Sequence, residues 1–438
     1  QSGMPNLLAV NHKLKSKSDI KAYIARLQGF ETKFDQVLEG LKISEQKGII
    51  PPKFVIKRVL DEMKGFTGVG VEKNILYTNF TEKVSKVEGL SEEEKSDFTQ
   101  QVAKAIQASV FNAYQKLIDY HELLYAKATT DDGVWKLPDG DAYYRYLLKA
   151  NTTTDLSPEE VYQIGLKEVD RIEKEMRTIL KNEGYTDTSK TIGAIIQGLS
   201  KEERFLFPEN DFGRTMVLAE YQRIIDDAEK ALDLAFDIRP KASITVERVP
   251  EFKEIGMAKG SCSRPAMDGS KGGVFWANLR NVSEHPKYGM KTLAYHEGIP
   301  GHHFQIAIAM ELKGLPVFRT VVPFTAYIEG WALYSEQLAY EMGFYNNDPF
   351  GNLGRLQAEM WRACRLVVDA GIHYKKWTRE EAIKYMVDLT GLSESEVITE
   401  VERYIVMPGQ ACAYKIGMMK MLELREKAKQ ALGPKFDL

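Results

Sequence analysis

Amphipathic helical patterns recur along most of this chain and restrict it to a mostly helical fold. Apolar residues repeat at the spacing of one helix face in residues 19–45, 91–126, 158–182, 213–236, 352–374 and about 411–431. Typical helix starts support these assignments. Ser157 is an N-cap followed by proline, and Thr378 and Ser393 are each followed three residues later by glutamate, which is the capping-box pattern. The sequence therefore predicts a fold built mainly from long helices.

Strand patterns are few and lie close together. Residues 242–249 alternate between apolar and polar side chains, and residues 273–279 form a short run rich in aromatic and β-branched residues. We therefore expect one small sheet within about residues 242–280. The second strand could bind an extended peptide along an open edge, with an ordinary strand of the sheet as the alternative.

Two short stretches rich in aspartate and glycine, residues 131–133 and 138–141, interrupt the helical patterns. They mark the expected boundary between an N-terminal helical layer, residues 1–130, and a helical catalytic region, residues 131–438, within one continuous structural unit. The chain begins abruptly with Gln1 and without a signal-peptide pattern, so we expect its natural N-terminus to be missing. The compartment, whether periplasmic, secreted or cytoplasmic, therefore stays open.

Charge and cysteine content exclude several classes of function. The 438 residues include 59 basic and 62 acidic side chains, and the net charge of -3 gives no reason to expect a nucleic-acid partner. No apolar stretch of the sequence reaches the ~20 residues that a membrane span needs. The three cysteines, Cys262, Cys364 and Cys412, lie far apart, which argues against a disulfide scaffold and against a thiolate zinc site.

Three of the seven histidines fall within eight residues, at His296, His302 and His303, and Glu297 follows the first of them. In the His-Glu-x-x-His pattern of zinc peptidases, both histidines lie on one helix face and the glutamate is the general base. Here the fourth position after His296 is a proline, which cannot be a ligand and disrupts a helix. We expect the Pro300-Gly301 pair to loop out of the helix as a two-residue insertion, which makes His302 the second ligand. A three-residue bulge would select His303 instead, and the remaining histidine would support the site or the structure.

A second acidic motif lies in the helical segment that begins near Tyr327. Glu329 has mainly apolar neighbours, which argues against a solvated helix face, and Gly330 beside it permits another helix to approach closely. We expect Glu329 to be the third ligand, with a fourth coordination position open for water. Glu336, seven residues later on the same face, is the alternative ligand or a partner that orients one.

These motifs together resemble a known bacterial family. The matching stretches are residues 295–303, 329–332, 362–373 and 403–417. Through them the chain is similar to the bacterial "domain of unknown function 885" family, which is related to gluzincin-type zinc metallopeptidases such as Taq-type carboxypeptidase and thimet oligopeptidase. The resemblance implies a large helical zincin-like fold, with a deep channel and the small sheet next to the active-site helix. It also implies one zinc ion held by His296, a second histidine and Glu329, with Glu297 as the base.

Peptide hydrolysis also needs a group that stabilises the oxyanion of the tetrahedral intermediate. Tyr414, with Lys415 beside it, is the first choice for this role, and Tyr404 with Arg403 is the second. Glu297 would take a proton from the metal-bound water and pass it to the leaving amine.

A polar stripe crosses an otherwise apolar predicted helix. Arg362, Arg365, Asp369 and His373 follow one another at helical spacings. Buried charges need partners, so this stripe either forms a structural ion-pair network or serves a neighbouring site. In the second case Asp369 and His373 orient metal ligands or contact the substrate.

The sequence predicts a zinc-dependent metallopeptidase, of carboxypeptidase or oligopeptidase type, that hydrolyses short peptides with Glu297 activating the metal-bound water. Two alternatives use the same residues. Two histidines and a carboxylate also suit a non-haem Fe(II) enzyme, and an inactive module could bind peptide or metal without catalysis. The base directly after His296 favours hydrolysis. The substrate sequence, endo- or exo-cleavage, the oligomeric state and the metal identity stay open.

Overall fold

In a computed structural model the chain is mostly helical with one small sheet, as its sequence predicts. The structure describes residues 2–251, 254, 257–267, 269–316, 318–319 and 324–438. It divides into two compact units, each considered by itself below. The N-terminal unit consists of Gln1–Asp131 with Lys136–Pro138, and the C-terminal unit consists of Asp132–Trp135 with Asp139–Leu438.

Seven helices are described in the N-terminal unit: α1 (Gly3–Asn6), α2 (Lys17–Gln28), α3 (Phe30–Gln46), α4 (Lys53–Gly68), α5 (Ile75–Ser85), α6 (Glu92–Ala105) and α7 (Asn112–Lys127). One cluster of buried apolar side chains from α2 to α7 forms the core of this unit. The predicted helical segment 19–45 is two helices that meet at Gly29, since glycine is unfavourable in a helix interior. A π-helical turn, Ile106–Phe111, joins α6 to α7 within the predicted segment 91–126.

Eleven helices are described in the C-terminal unit: α8 (Gly140–Thr152), α9 (Pro158–Asn182), α10 (Ile192–Leu199), α11 (Asp211–Lys230), α12 (Lys287–Glu297), α13 (His302–Glu311), α14 (Thr325–Glu341), α15 (Pro349–His373), α16 (Arg379–Thr390), α17 (Glu394–Val406) and α18 (Ala413–Leu432). The predicted helix starts at Ser157, Thr378 and Ser393 are confirmed. Each side chain accepts the N3 backbone N–H, and each N3 glutamate accepts the cap backbone N–H.

Three short strands of the C-terminal unit form the sheet: β1 (Ile244–Arg248), β2 (Gly260–Ser263) and β3 (Gly273–Ala277), in the order β1-β3-β2. The central strand β3 is parallel to β1 and antiparallel to β2. The prediction that the 273–279 strand offers an open edge is therefore wrong, because both of its sides are hydrogen-bonded to neighbours. β2 was not predicted, since its glycine- and serine-rich sequence carries no strand pattern.

Helix α12 packs against an apolar surface formed by the sheet and α11. Tyr221 of α11, Phe275 of β3 and Tyr295 of α12 belong to one cluster of buried side chains, and the first two rings meet edge to face with centroids 4.9 Å apart. α12 also packs along α15, and β2 packs against both α12 and α13. This packing fixes the C-terminal end of α12, where the histidine cluster begins.

Helices α14 and α18 approach each other unusually closely. A Cβ atom on Gly330 would lie 2.6 Å from the backbone of Gly417, and one on Gly417 would lie 2.1 Å from the carbonyl oxygen of Ala326. The close approach predicted for Gly330 is thus confirmed. It brings α18, which carries Tyr414, against the helix that carries Glu329.

None of the helices in the described part of the chain is both long and apolar enough to cross a membrane.

Candidate metal centre

The histidine cluster lies where two helices meet rather than on one bulged helix. α12 ends at Glu297, and α13 begins at His302, with Gly298–Gly301 between them. The predicted two-residue insertion is therefore too short, because four residues leave the helix. The physical reason lies at Gly301: a Cβ atom there would lie 2.0 Å from the His296 carbonyl oxygen, so the chain turns back onto α12 where only glycine fits.

The helix that carries Glu329 holds this turn in place. The Pro300 carbonyl oxygen accepts hydrogen bonds from the Trp331 indole N–H at 2.8 Å and from the Ser335 hydroxyl at 3.1 Å. Both donors lie on α14. These hydrogen bonds join α14, which carries Glu329, to the turn that sets the distance between the two histidines. Sequence reasoning assigned no role to either donor: Trp331 lies in the matched stretch 329–332 only as a neighbour of Glu329, and Ser335 lies outside the matched stretches.

Three side chains with metal-ligand chemistry converge at this turn. His296, His302 and Glu329 each offer one nitrogen or oxygen, and these atoms lie within 4.8 Å of one another. The two imidazoles are nearly perpendicular, with centroids 4.8 Å apart, and His302 Nε2 lies 3.4 Å from a Glu329 carboxylate oxygen. No other such group occurs among the described residues. We call these three residues the metal group.

The metal group fits a divalent ion with nitrogen and oxygen ligands. In a tetrahedral zinc site with bonds of about 2.0–2.1 Å, two ligand atoms lie about 3.4 Å apart, so the widest separation in the group would have to shorten by up to about 1.4 Å. The side chain of His296 is 5% exposed and that of His302 is 11% exposed, which keeps bulk water largely away. Three protein ligands leave one coordination position open, as in catalytic zinc sites.

His303, the alternative second ligand, points away from the metal group. Its Nε2 hydrogen-bonds to the Ala242 carbonyl oxygen at 3.0 Å. A Cβ atom on Gly273 would lie 2.3 Å from its Nδ1, so the ring packs directly on strand β3. His303 therefore attaches α13 to the sheet. Successive side chains on a helix point about 100° apart, so His302 can face the metal group while His303 faces the sheet.

Glu336, the alternative third ligand, holds His296 instead. Its carboxylate lies 2.8 Å from His296 Nδ1 and is 2% exposed. A hydrogen bond at Nδ1 leaves Nε2 as the nitrogen available to a metal. Burial raises the pKa of Glu336 to about 8, and the charges of Arg362 and Arg355 oppose this rise. A cation bound by His296 would further favour the ionised carboxylate.

Glu297, the predicted base, is buried at the end of α12 beside the metal group. The Cys262 backbone N–H, on β2, donates a hydrogen bond to its carboxylate. Burial raises the pKa of Glu297, the charge of His302 opposes that rise, and the charge of Glu329 adds to it. A carboxylate with a raised pKa next to metal ligands is chemically suited to accept and return a proton.

The pKa values of the three members of the metal group are shifted in different directions. Burial holds the pKa of His296 well below its ordinary value, and the positive charge of His302 adds to this effect. His302 is also buried, yet its hydrogen bond to Glu329 and the charge of Glu297 raise its pKa. Despite burial, the pKa of Glu329 is lowered by the same hydrogen bond. Because a histidine binds a metal ion only in its neutral form, the raised pKa of His302 weakens metal binding as the pH falls.

Tyr414 is the predicted oxyanion residue that reaches the metal group. Its hydroxyl hydrogen-bonds to Glu329 and helps to lower the pKa of that carboxyl. The Arg365 guanidinium lies 4.4 Å from the centroid of the Tyr414 ring. The Tyr414 hydroxyl therefore lies next to the metal group, and the Arg365 cation packs against the ring that carries it.

Lys415, beside Tyr414 in sequence, lies in a buried ion-pair cluster. Its ammonium is 2.6 Å from Glu359 and 2.9 Å from Glu168, and Glu359 also pairs with Arg171 and Arg355. The charge of Lys415 is thus already neutralised by two carboxylates. These contacts indicate a structural role rather than the predicted contact with substrate.

Tyr404 and Arg403 are both bound to Glu400. The Tyr404 hydroxyl donates to Glu400 and accepts from Arg365 Nε, both at 2.8 Å. Arg403 also donates to Glu400 at 2.8 Å and to Gln410 at 2.6 Å. Their described bonds hold Arg365 in position and do not reach the metal group.

Asp369 and His373 make structural contacts, so the structure favours the structural alternative for the polar stripe over a role in orienting ligands or binding substrate. Asp369 accepts hydrogen bonds from the Tyr144 hydroxyl at 2.6 Å and the Gly409 backbone N–H at 3.0 Å. His373 Nδ1 accepts the Val134 backbone N–H at 3.1 Å. Neither side chain has a described bond to the metal group.

The fold and this donor set define a mostly helical protein with a candidate site for a divalent metal ion. The family described as "Bacterial protein of unknown function (DUF885)" matches residues 1–438, so the chain belongs to that family. The family predicted from the sequence motifs is thereby confirmed, whereas its relation to gluzincins stays a prediction.

Two solved structures are similar to this chain. A Colwellia psychrerythraea protein, provisionally named a lipoprotein, is 41% identical with a TM-score of 0.93, over 99% of this chain and 74% of that one. A Shewanella oneidensis protein, provisionally named a lipoprotein of unknown function, is 19% identical with a TM-score of 0.72, over 98% of this chain and 76% of that one. The second likeness shows the fold alone. No curated protein matches the chain.

Proposed function

We propose that this protein is a zinc-dependent peptidase that hydrolyses short peptides. One observation carries the proposal: the metal group of His296, His302 and Glu329, with atoms within 4.8 Å of one another, lies beside the buried carboxylate of Glu297. Two histidines and a carboxylate with one open position are the ligand set of catalytic zinc in several peptidases. A glutamate ligand on a helix separate from the two histidines also supports the proposed relation to gluzincins and a zincin-like fold.

The residues around the metal group supply the proton transfers of hydrolysis. A zinc ion bound there would polarise the substrate carbonyl and acidify a water molecule. Glu297 accepts the proton of the attacking water, whose hydroxyl adds to the carbonyl carbon. When the carbon–nitrogen bond breaks, Glu297 returns the proton to the leaving amine. The Tyr414 hydroxyl donates a hydrogen bond to the developing oxyanion.

The burial of the metal group favours short, flexible substrates. The side chains of His296, His302 and Glu329 are 5%, 11% and 21% exposed. A folded protein surface cannot reach atoms at this depth, whereas an extended peptide segment is narrow enough to do so.

Glu297 also separates hydrolysis from the iron alternative. Non-haem Fe(II) enzymes use two histidines and one carboxylate and need open positions, but they need no buried base directly after a ligand. The raised pKa of Glu297, caused by burial, suits a base that accepts a proton and later returns it. We therefore favour zinc and hydrolysis.

The test compares zinc-loaded wild type with Glu297→Gln on a mixture of peptides, read by mass spectrometry and zinc analysis. Glu297→Gln should retain one zinc per chain and lose about 10²- to 10⁴-fold in rate, because general base catalysis contributes about that factor. Glu341→Gln is the control, since this carboxylate pairs with Arg425 instead. Intact peptides after incubation with zinc-loaded wild type would refute the proposal, as would an undiminished rate in Glu297→Gln. Iron with oxygen consumption would favour the alternative.

A further inference from the structure

Arg362, on α15, is a buried cation without a carboxylate partner among the described residues. The residue is 8% exposed. Its Nη1 donates only to the Ala358 carbonyl oxygen, at 3.2 Å, and its buried Nε has no hydrogen-bond partner. A buried unpaired charge is strongly unfavourable, so proteins seldom keep one without a use.

The other buried cations of this unit are paired. Arg355, two turns earlier on α15, lies 3.2 Å from Glu359, and Lys415 has two carboxylates within 2.9 Å. Arg365, one turn after Arg362, lies 2.9 Å from Glu400. The unpaired state of Arg362 is therefore an exception within its own surroundings.

The position of Arg362 links this unpaired cation to the metal group. Its guanidinium lies 6.0 Å from the centroid of the Tyr414 ring, and the Tyr414 hydroxyl hydrogen-bonds to Glu329. Its positive charge also acts on His296, Glu297 and His302. Arg362 thus lies beside Tyr414 and acts electrostatically on the two histidines of the metal group and on Glu297, and no described hydrogen bond joins it to any of them.

Arg365 adds a second unpaired donor near the same tyrosine. Its Nη1 is buried and has no hydrogen-bond partner, and its guanidinium lies 4.4 Å from the centroid of the Tyr414 ring. The Trp361 ring lies 4.7 Å from Arg362 and 4.4 Å from Arg365. The two guanidinium groups are held against aromatic rings, with N–H groups left for a planar anion.

We propose that Arg362, assisted by Arg365, binds the carboxylate of a peptide substrate and restricts cleavage to peptides that present one next to the scissile bond. The inference rests on the proposed function and names its substrate class. A carboxylate matches the forked guanidinium geometry, and every unblocked peptide carries one at its C-terminus. The enzyme is then a carboxypeptidase: one water is consumed, its hydroxyl joins the acyl carbon, and its proton joins the amine of the released C-terminal residue.

The first test measures binding in zinc-loaded Glu297→Gln, so that hydrolysis does not interfere. Three N-acetylated peptides are compared. The first two share one sequence and end in a free acid or an amide, and the third is an amide whose last residue is replaced by glutamate. Tryptophan fluorescence reports binding, because Trp361, one of the five tryptophans, lies against both arginines. The free acid should bind about 100-fold more tightly than the amide, as expected for charged hydrogen bonds in a buried site. The glutamate amide distinguishes a side-chain carboxylate from a terminal one.

The second test removes the cation. Adding Arg362→Gln should abolish the preference for the free acid, whereas Arg362→Lys should retain part of it, because it keeps the charge but loses the fork. Arg355→Gln, an equally buried arginine on the same helix, is the control and should keep the full preference. Should Arg362→Gln fail to fold, the acid–amide comparison in the parent and in Arg362→Lys still decides the matter.

The outcomes separate this inference from the proposed function. Equal binding of acid and amide would overturn the inference, and so would an equal loss of both in Arg362→Gln, which would indicate oxyanion or structural stabilisation. Cleavage of the amide peptides as fast as the free acids would overturn the carboxylate-binding inference but leave the proposed peptidase function standing. Acid-selective binding that depends on Arg362, without any cleavage by zinc-loaded wild type, would refute the peptidase while leaving the carboxylate site.

Discussion

Removing the Glu336 carboxylate tests how the metal group is organised. Glu336 lies 2.8 Å from His296 Nδ1 and is 2% exposed, so water cannot replace it. Glu336→Gln keeps the size and an acceptor oxygen but cannot ionise when a cation binds to His296. Glu336→Ala leaves the His296 N–H buried and without an acceptor. The two variants therefore form a graded pair.

The magnitude follows from what each variant leaves behind. Loss of a group that orients a metal-bound histidine lowers metal affinity by about 10- to 100-fold. Glu336→Gln belongs at the lower end, about tenfold, because an acceptor remains. Glu336→Ala belongs at the upper end, about 100-fold or 2.7 kcal/mol, because an unsatisfied buried donor costs about 1–3 kcal/mol.

Zinc affinity is measured by competition with a chelator of known affinity, at fixed pH. Glu341→Gln, on the same helix but paired with Arg425, is the matched control and should bind zinc like wild type. Equal zinc affinity in wild type and Glu336→Ala would refute the reasoning, because Glu336 would then not orient His296. Weaker zinc binding by Glu336→Gln than by Glu336→Ala would contradict the proposed order of the two variants.

Three further predictions concern stability of the C-terminal unit, measured by chemical denaturation. Gly417→Ala should lower the free energy of unfolding by about 1–3 kcal/mol, because the Cβ would lie 2.1 Å from a facing carbonyl oxygen; Gly198→Ala, with open space around it, should be neutral or stabilising by up to about 1 kcal/mol. Lys415→Met should cost about 3 kcal/mol, since it removes the cation that pairs with the buried Glu359 and the half-buried Glu168, whereas Lys420→Met at an exposed pair should change little. Burial lowers the pKa of His285 to about 3, so the unfolded chain binds a proton that the folded chain does not as pH falls below about 6.5. Stability should thus fall with acidification through that window, and His285→Gln should remove about 1.4 kcal/mol per pH unit from the slope. Equal costs within either matched pair, or parallel pH slopes, would contradict the corresponding account.

The sequence predicted the helices well, because capping boxes and apolar periodicity depend only on residues close together in the chain. The capping boxes at Thr378 and Ser393 form as their spacing indicates, and helix α9 covers the predicted residues 158–182. The break at Gly29 and strand β2 were missed, since one glycine only weakens a helix and β2 is stabilised by pairing with β3 rather than by its own residues.

The candidate site could be predicted in composition but not in geometry. The sequence identified His296, His302 and Glu329, which the structure brings together. It did not predict the four-residue turn before His302, because that turn depends on a close backbone approach at Gly301 and on bonds from α14. The environment of Arg362 was equally hidden, since its lack of a partner is a property of the packed structure.

Zinc binding by His302→Gln and His303→Gln tests the central claim most directly. The two histidines are adjacent in sequence, yet Nε2 of one lies 3.4 Å from Glu329 and Nε2 of the other bonds to the Ala242 carbonyl oxygen. We predict one zinc ion per chain in wild type and in His303→Gln, and loss of zinc in His302→Gln at the same concentration. Zinc retained by His302→Gln but lost from His303→Gln, or absent from purified wild type supplied with zinc, would contradict the account.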